Sequence, residues 1–387
     1  MARVTPAFDR EKRKPRLLYL VAEDWYFCSH RLPLAVAARA SGFEVTVATR
    51  VRKHEQQIRD AGLSLEPIGL DRHSHHPLRE LRSLAQIARI YRRVRPDLAH
   101  HVAVKPVLYG SIAARIARTP AVVNAIAGQG YVVSSSDLRA RLLRPAIQMA
   151  YRVLLNHGGS RLIVQNPDDV AALTDGRLVD RERVVMIRGS GVDTAHFSPA
   201  PEAEGVCLVV LPARLLRDKG VVEFVEAAGA LRARGVQARF ALVGEPDPGH
   251  PAEITLSEIE RWRQEGVVEY WGWRDDMRAV FEQAHLVCLP SYREGLPKAL
   301  IEAAACGRAI VTCDVPGCRE VVRDEDNGLL VPARSVEPLA HALHRLIEDM
   351  ALRRRMGARG RERALREFSV HKVIEDTLAV YRSALGL

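Results

Sequence analysis

Short apolar segments rich in β-branched residues alternate along the chain with longer segments whose apolar residues recur at helical spacing. This alternation predicts repeated strand–helix units and therefore parallel sheets covered by helices on both faces. The predicted strands are 17–21, 44–48, 63–67, 98–102, 121–125, 161–165, 184–188, 207–211, 239–243, 267–270, 286–289, 309–312 and 329–331. The predicted helices are 32–40, 78–94, 109–117, 138–155, 221–233, 254–264, 296–306 and 337–350, with a helical tail at 361–387.

Glycine and proline are dense between residues 189 and 201, which predicts a turn and a linker after the seventh strand. The length of 387 residues also suits two domains. We therefore expect an α/β protein with a first domain at 1–190, a second at 191–365 and a C-terminal helix at 366–387 that crosses back to the first. Each domain is an open, doubly wound parallel sheet, and the two face a central cleft that receives the carboxyl ends of the strands.

Composition narrows the class of protein. A hydrophobic content of 47% excludes a mainly disordered chain, and no apolar run reaches the roughly 18 residues of a membrane-spanning helix. The basic start meets Glu23 and Asp24 after a short apolar run, so we expect no cleaved export signal. Six cysteines without a CxxC pair indicate a reducing compartment, and we interpret them as buried apolar side chains and not as a zinc site.

The net charge of +10 is unevenly distributed. Residues 1–190 carry 31 Lys and Arg against 17 Asp and Glu, whereas residues 191–387 carry 26 against 30. Seven arginines between 72 and 95 alternate with Leu and Ile at helical spacing, and 138–155 is similar. Such basic amphipathic helices favour an anionic bilayer surface, although solvated helix faces packed on a sheet would show the same pattern. The positive charge would also fit a nucleic-acid-binding protein. However, the aromatic content is only 5% and no nucleic-acid recognition motif is present.

The most informative segment is 290–302, which directly follows a predicted strand. Gly295 allows a tight turn, and Leu296 and Pro297 then open a helix, with proline at the first-turn position that it prefers. The unpaired amides at such a helix start bind anions and suit a pyrophosphate. Glu302 lies two helical turns beyond Glu294, where its carboxylate can accept hydrogen bonds from a ribose diol, while Glu294 can hold hydroxyls of an attached sugar.

With the preceding Ser291, this spacing of Glu294 and Glu302 resembles the signature of retaining glycosyltransferases of family 4, which adopt the GT-B fold of two Rossmann-like domains. The supporting segments occur in the family's order: 191–197, 214–220, Val243–Gly244, 271–276 and 328–331. The resemblance implies that Glu294, Arg214 and Lys219 are catalytic, the two cations neutralising the donor diphosphate. It also implies a donor-binding role for Glu302, Gly295, Leu296, Pro297, Gly244, Trp273 and Ser291.

Segments 29–34, 105–110 and 124–131 are similar to family members that glycosylate undecaprenyl-diphosphate-linked acceptors. This similarity implies acceptor-side roles for His30, Lys105, Gly128 and Gly130. Two departures stand out. Ala127 and Gly128 occupy the region where many members carry a histidine near the donor sugar, and 22–25 lacks the glycine-rich first loop of many relatives.

The resemblance implies a metal-independent transferase, without a cofactor, that moves a sugar from a UDP-linked donor to a lipid-linked or polysaccharide acceptor on the cytoplasmic face of the inner membrane. We expect partners to include the anionic leaflet and to exclude nucleic acid. A GT-B-shaped nucleotide-sugar epimerase is the alternative. A nicotinamide dehydrogenase is disfavoured, because no G-x-G-x-x-G follows the first strand. The alternative without a functional site is that Glu294 and Glu302 are solvated charges and that Arg214 and Lys219 pair with surface carboxylates.

Overall fold

A computed structural model describes residues 13–71, 76–126 and 138–387, with only the backbone described at 138–143. The described residues form two compact units. One contains the residues up to Ser190 together with Val373–Leu387, and the other is Gly191–Lys372. The return to the first unit thus comes seven residues later than the boundary at 366 that the sequence suggested. Residues before it stay in the second unit, where the amide of Val192 donates to Phe368 and the amide of Val370 donates to Val192, each at 2.9 Å.

The first unit contains one parallel sheet with helices on both sides. Its elements are β1 (Arg16–Glu23), α1 (Asp24–His30), α2 (Leu32–Ala40), β2 (Glu44–Arg50), α3 (Glu55–Asp60), β3 (Ser64–Pro67), α4 (Pro77–Val94), β4 (Leu98–Val102), α5 (Val104–Ala117), β5 (Ala121–Ala125), α6 (Leu138–Leu155), β6 (Gly159–Val164), α7 (Pro167–Asp175) and β7 (Val184–Met186). The strand order is β3-β2-β1-β4-β5-β6-β7, so the winding reverses between β1 and β4.

The second unit repeats this scheme. Its elements are β8 (Cys207–Pro212), α8 (Val221–Ala233), β9 (Ala238–Val243), α9 (Leu256–Gln264), β10 (Glu269–Gly272), α10 (Met277–Gln283), β11 (Leu286–Leu289), α11 (Lys298–Ala305), β12 (Ala309–Cys313), α12 (Cys318–Val321), β13 (Gly328–Val331), α13 (Val336–Glu348) and α14 (Met350–Glu367). The parallel strands lie in the order β10-β9-β8-β11-β12-β13, so the winding reverses between β8 and β11. The predicted doubly wound α/β architecture is confirmed.

The central strands lack a polar face. All six residues of β8 and all four of β11 are buried, because helices cover both sides of a parallel sheet. This continuous burial explains why these strands appear in the sequence as unbroken apolar runs. It also leaves the loops at the strand ends as the places where the second sheet can present polar groups.

The last helix, α15 (Val370–Leu385), completes the core of the first unit. Its side chains in the apolar core are Val373, Leu378, Val380, Tyr381 and Leu385. The hydroxyl of Tyr381 is hydrogen-bonded to the Tyr19 hydroxyl at 2.9 Å and also to Nδ1 of His100. A segment distant in sequence therefore contributes both apolar contacts and a buried polar network to the centre of this sheet.

Candidate active site

The predicted donor-binding residues gather at the carboxyl edge of the second sheet. Arg214 follows β8, Gly244 follows β9 and the segment carrying Ser291 and Glu294 follows β11. Strands β8 and β11 are neighbours at the point where the winding reverses. In open α/β sheets this switch point is where loops diverge and ligands bind. The topology therefore brings Arg214 and Glu294, which are 80 residues apart in sequence, to one site.

Two glycines make close backbone packing possible there. A Cβ at Gly220 would lie 2.1 Å from the carbonyl oxygen of Pro290, and a Cβ at Gly244 would lie 1.9 Å from that of Ala213. Both glycines also have positive φ, at +73° and +140°. Any side chain at these positions would push apart the loops that carry the charged residues. Gly244 thus has a structural role at the position that the resemblance assigned to the donor.

Hydrogen bonds join the loop after β8 to the loop after β11. The Ser291 hydroxyl and the Tyr292 amide both donate to the carbonyl of Asp218, at 3.1 and 2.9 Å. The Arg293 guanidinium also lies 3.4 Å from the Asp218 carboxylate. Ser291 is fully buried, so the structure gives it a role in loop geometry, although the sequence placed it among the donor contacts.

Each predicted cation is paired with a carboxylate. Arg214 Nη1 donates to Asp247 Oδ2, and Lys219 Nζ donates to Glu294 Oε1, each at 2.5 Å. The carboxylate side chains are only 9% and 13% exposed, respectively, so these are not pairs with surface carboxylates. Charge-assisted bonds of this length hold the cations in one place. The Lys219–Glu294 pair also couples a proposed phosphate-binding cation directly to a proposed sugar-binding acid.

Glu302 lies on α11 and is only 5% exposed. Burial raises the pKa of its carboxyl group, and the opposing influences are the charge and hydrogen bond of Lys298, one turn earlier, and the nearby His196. Lys298 is thus the partner of Glu302 in this structure. The expected ribose-binding carboxylate is therefore in the interior of the second unit, beside a cation that opposes the effect of burial on its pKa.

The helix carrying Glu302 begins two residues later than the predicted start at 296. The sequence predicted that Leu296 and Pro297 open it, with proline in the first turn, but α11 starts at Lys298 and Pro297 is its N-cap. The extended ψ of Pro297, 111°, keeps it outside the helix. Leu296 is buried in the core of the unit, so only its backbone can serve a ligand. The Leu300 amide donates to the Pro297 carbonyl at 3.1 Å, so the amides of Lys298 and Ala299 are the first-turn donors without an acceptor within the helix.

Gly295 lies three residues before the start of α11 and packs against the loop after β12. A Cβ at Gly317 would lie only 2.5 Å from the Gly295 carbonyl oxygen and 2.7 Å from that of Glu294. The loop after β12 therefore packs against the backbone that carries Glu294, in addition to the loop after β8.

Trp273 is the first residue after β10, and its side chain is largely exposed. Its indole nitrogen donates to Asp275 at 2.7 Å. Asp276, which resembles a family position beside the base, is the N-cap of α10 and accepts the Ala279 amide at 3.1 Å. Trp273 therefore remains accessible to a ligand, whereas Asp276 has a structural task.

Sequence reasoning missed two groups at this site. The Tyr292 hydroxyl donates to Glu223 on α8, and the Arg334 guanidinium lies 4.6 Å above the Tyr292 ring. Asp247, the partner of Arg214, also went unnoticed. No short sequence motif predicts these residues, because each contact joins segments that follow different strands. Only the order of the strands brings them together.

The predicted acceptor-side residues belong to the first unit. His30 ends α1 and stacks on Tyr26, with ring centroids 4.1 Å apart. Lys105 lies in the first turn of α5 and donates to Glu80 Oε1 at 2.9 Å and to the Asp71 carbonyl at 2.7 Å. Gly128 and Gly130 lie outside the described residues.

His100 and His101 are fully buried in the first unit. Nδ1 of His101 is hydrogen-bonded to Asn124 Oδ1 at 2.7 Å. Burial lowers the pKa of His101 to about 4, against the opposing effect of that bond. All six cysteines are free, five of them buried, and no cluster of three or more His, Cys, Asp or Glu side chains suited to a metal occurs within 13–71, 76–126 and 144–387.

Two family models match the chain. Residues 207–349 match the family described as "Glycosyl transferases group 1", and residues 16–166 match "Glycosyl transferase 4-like". The curated N,N'-diacetylbacillosaminyl-diphospho-undecaprenol alpha-1,3-N-acetylgalactosaminyltransferase of Campylobacter jejuni is 27% identical over 348 residues, which cover 87% of this chain and 90% of that protein. The alpha-maltose-1-phosphate synthase of Mycolicibacterium smegmatis is 34% identical over 277 residues, covering 66% and 67%.

The fold is also shared with solved structures. HepE of Anabaena, crystallised in complex with UDP, superposes with a TM-score of 0.75 at 18% identity over 95% of this chain and 100% of that one. At this identity the likeness concerns the fold, which is GT-B. Together with the sequence matches in both halves, it shows that the chain belongs to the group 1 glycosyltransferases of family 4, retaining enzymes with the GT-B fold.

Proposed function

We propose that this enzyme transfers a hexosyl residue from a UDP-linked donor to a lipid-diphosphate-linked acceptor, without a metal ion. The observation that carries the proposal is the pair of cations, Arg214 and Lys219, at the switch point of the second sheet, with Glu294 beside them. A leaving nucleoside diphosphate accumulates negative charge as the glycosidic bond breaks. Fixed cations at that position stabilise the departing oxygen, which is the largest contribution such a site can make.

The remaining groups fit the same donor. Glu294 accepts hydrogen bonds from hydroxyls of the transferred sugar, Glu302 from the ribose, and the first-turn amides of α11 face the pyrophosphate. The acceptor hydroxyl attacks from the face that the diphosphate leaves, which retains the anomeric configuration. The departing phosphate takes the acceptor proton. On this route no protein side chain has to act as a strong base.

The nature of donor and acceptor is supported by relatives. HepE was crystallised with UDP, and the Campylobacter jejuni relative is named for a diphospho-undecaprenol acceptor. An acceptor of that kind lies at a membrane, so our proposal includes action on the cytoplasmic face of the inner membrane. His30 and Lys105 are the described acceptor-side residues of the proposal.

The direct test is product analysis with and without the acceptor. We expect the purified enzyme to release UDP from a matching UDP-sugar and to extend an undecaprenyl-diphosphate-linked sugar, with and without a chelator. Retention of the anomeric configuration is read by NMR of the product. Conversion of the donor to an isomeric nucleotide sugar without acceptor would instead identify an epimerase.

The membrane surface proposed here is the exposed face of α4. Leu78 and Leu81 are 62% and 64% exposed beside the exposed Arg79, Arg82 and Arg89. The sequence pattern overstated the apolar part of this face, because Ile87 and Ile90 pack inside the first unit. No helix in the described ranges is both long and apolar enough to cross a bilayer.

We expect the protein to float with vesicles containing phosphatidylglycerol and to be released by high salt, since each cation near an anionic surface contributes about 1 kcal/mol. The double variant Leu78→Ser/Leu81→Ser removes two side chains, each worth about 1.5–3 kcal/mol when buried, and should float at least about tenfold less. Leu256→Ser, at an exposed leucine of the second unit, is the matched control. Flotation that is equal with phosphatidylcholine alone, or is insensitive to salt, would contradict the proposal.

A further inference from the structure

Asp247 is the buried partner of Arg214 and has been given no role so far. Of the described residues, Asp247 alone bonds the Arg214 guanidinium, through Nη1 at 2.5 Å. A guanidinium carries five N–H donors in a rigid planar fork, so four donors remain for another anion. The Arg214 side chain is 39% exposed while Asp247 is 9% exposed. The carboxylate therefore holds the guanidinium through Nη1, while the Arg214 side chain as a whole stays partly exposed.

The segment that carries Asp247 is itself fixed to the segment that carries Arg214. The Leu215 amide donates to the carbonyl of Glu245 at 2.9 Å, and the Arg217 amide donates to that of Ala252 at 2.7 Å. The Ile254 amide returns a bond to the Leu215 carbonyl at 3.1 Å. Backbone bonds on both sides of Asp247 thus fix the distance between the two side chains.

The two cations of the site differ in their partners. Lys219 is held by Glu294, which is itself proposed to contact the donor sugar. Arg214 is held by a residue that is nearly inaccessible and lies on a loop of its own after β9. A side chain as flexible as arginine loses rotamer entropy when it grips an anion, and a prior anchor removes that cost from the binding or reaction step.

We propose that Asp247 is a positioning residue that orients Arg214 toward the departing diphosphate. The inference rests on the proposed function, because it acts only through Arg214. Without the Asp247 carboxylate, the Arg214 side chain samples several rotamers, and its guanidinium contacts the departing diphosphate in a smaller fraction of them. A misplacement of about 1 Å costs roughly a hundredfold in rate.

The test is a double-mutant cycle of Asp247→Asn and Arg214→Ala, measured as kcat and donor KM. We expect Asp247→Asn to lower kcat by about tenfold to a hundredfold with the melting temperature near that of the wild type. In the Arg214→Ala background the same change should alter kcat by less than about twofold, because the group through which it acts is absent. Glu269→Gln is the matched control. It breaks an Arg–carboxylate pair with Arg239, at 2.6 Å, at the amino-terminal edge of the same sheet.

Three outcomes would overturn the inference alone. The first two are an unchanged kcat for Asp247→Asn and an equal loss in both backgrounds, which would mean a general structural role. Tighter donor binding without loss of kcat would show that Asp247 only opposes the anion, and would also overturn it. Full activity of Arg214→Ala would overturn the proposed function itself, together with this extension of it.

Discussion

Replacing Arg214 and Lys219 together by alanine is expected to lower kcat by at least about 10³-fold at saturating donor. A single preorganised donor aimed at developing negative charge contributes about 10²–10³ in kcat, and this variant removes two cations from the leaving diphosphate. The loss should appear in kcat more than in KM, because the charge on the departing oxygen develops in the transition state. Release of UDP from the donor is the measurement.

The control for this double variant is Arg217→Ala, in the same loop. Arg217 pairs with Glu258 at 2.5 Å, and its side chain is half exposed. We expect it to keep turnover within about threefold of wild type, since exposed ion pairs contribute at most about 1 kcal/mol. If the double variant turned over as fast as this control, the cations would not act on the leaving group.

Glu202→Ala is expected to lower the free energy of unfolding of the second unit by about 3–5 kcal/mol. The buried Arg353 donates to both Glu202 oxygens, at 2.8 and 3.0 Å, and to the carbonyls of Leu346 and Ile347 at 2.7 and 3.1 Å. Removing the carboxylate leaves a buried cation with only carbonyl partners. Urea denaturation followed by tryptophan fluorescence is the measurement, since Trp262, Trp271 and Trp273 lie in the second unit.

The contribution of Glu202 to the free energy of unfolding should depend on pH in a definite direction. Burial alone would raise the pKa of Glu202, but its hydrogen bonds to Arg353 and Arg354 prevail and lower it. The carboxylate therefore contributes stability above its unfolded pKa, near 4.5, and loses it as the pH falls through the lower folded value. The difference between wild type and Glu202→Ala should shrink in that acidic range. Glu325→Ala, which breaks an exposed pair with Arg345, is the control and should cost less than about 1 kcal/mol.

Much of the fold could be predicted because buried parallel strands leave a strong signal. The predicted strands at 207–211 and 286–289 fall on β8 and β11, whose residues have no polar face to interrupt the run. Short helices have a weaker periodic pattern of apolar residues in the sequence. α10, of seven residues, and the four-residue α12 were not predicted, since so few turns do not establish an apolar period.

Site residues that lie in one continuous segment could be predicted from the sequence. Contacts between residues from separate segments could not. Glu294 and Glu302 share a loop and a helix, so their spacing alone suggested chemistry. Asp247 lies 33 residues from Arg214 and is brought to it by the pairing of β8 with β9. No local pattern encodes that contact. The error of two residues at the start of α11 has a local cause, because proline is compatible with both the N-cap and the first turn.

The position of α15 has a consequence for biosynthesis. Domains usually assemble in order as they leave the ribosome, at roughly 5–20 residues per second. Here the sheet that contains β1 lacks Tyr381 and its apolar neighbours until some 190 further residues have been translated. The earlier-made unit must therefore keep part of its interior uncovered while residues 191–372 of the later-made unit are translated. A nascent chain of this protein thus exposes apolar surface of its first unit during about the second half of its synthesis.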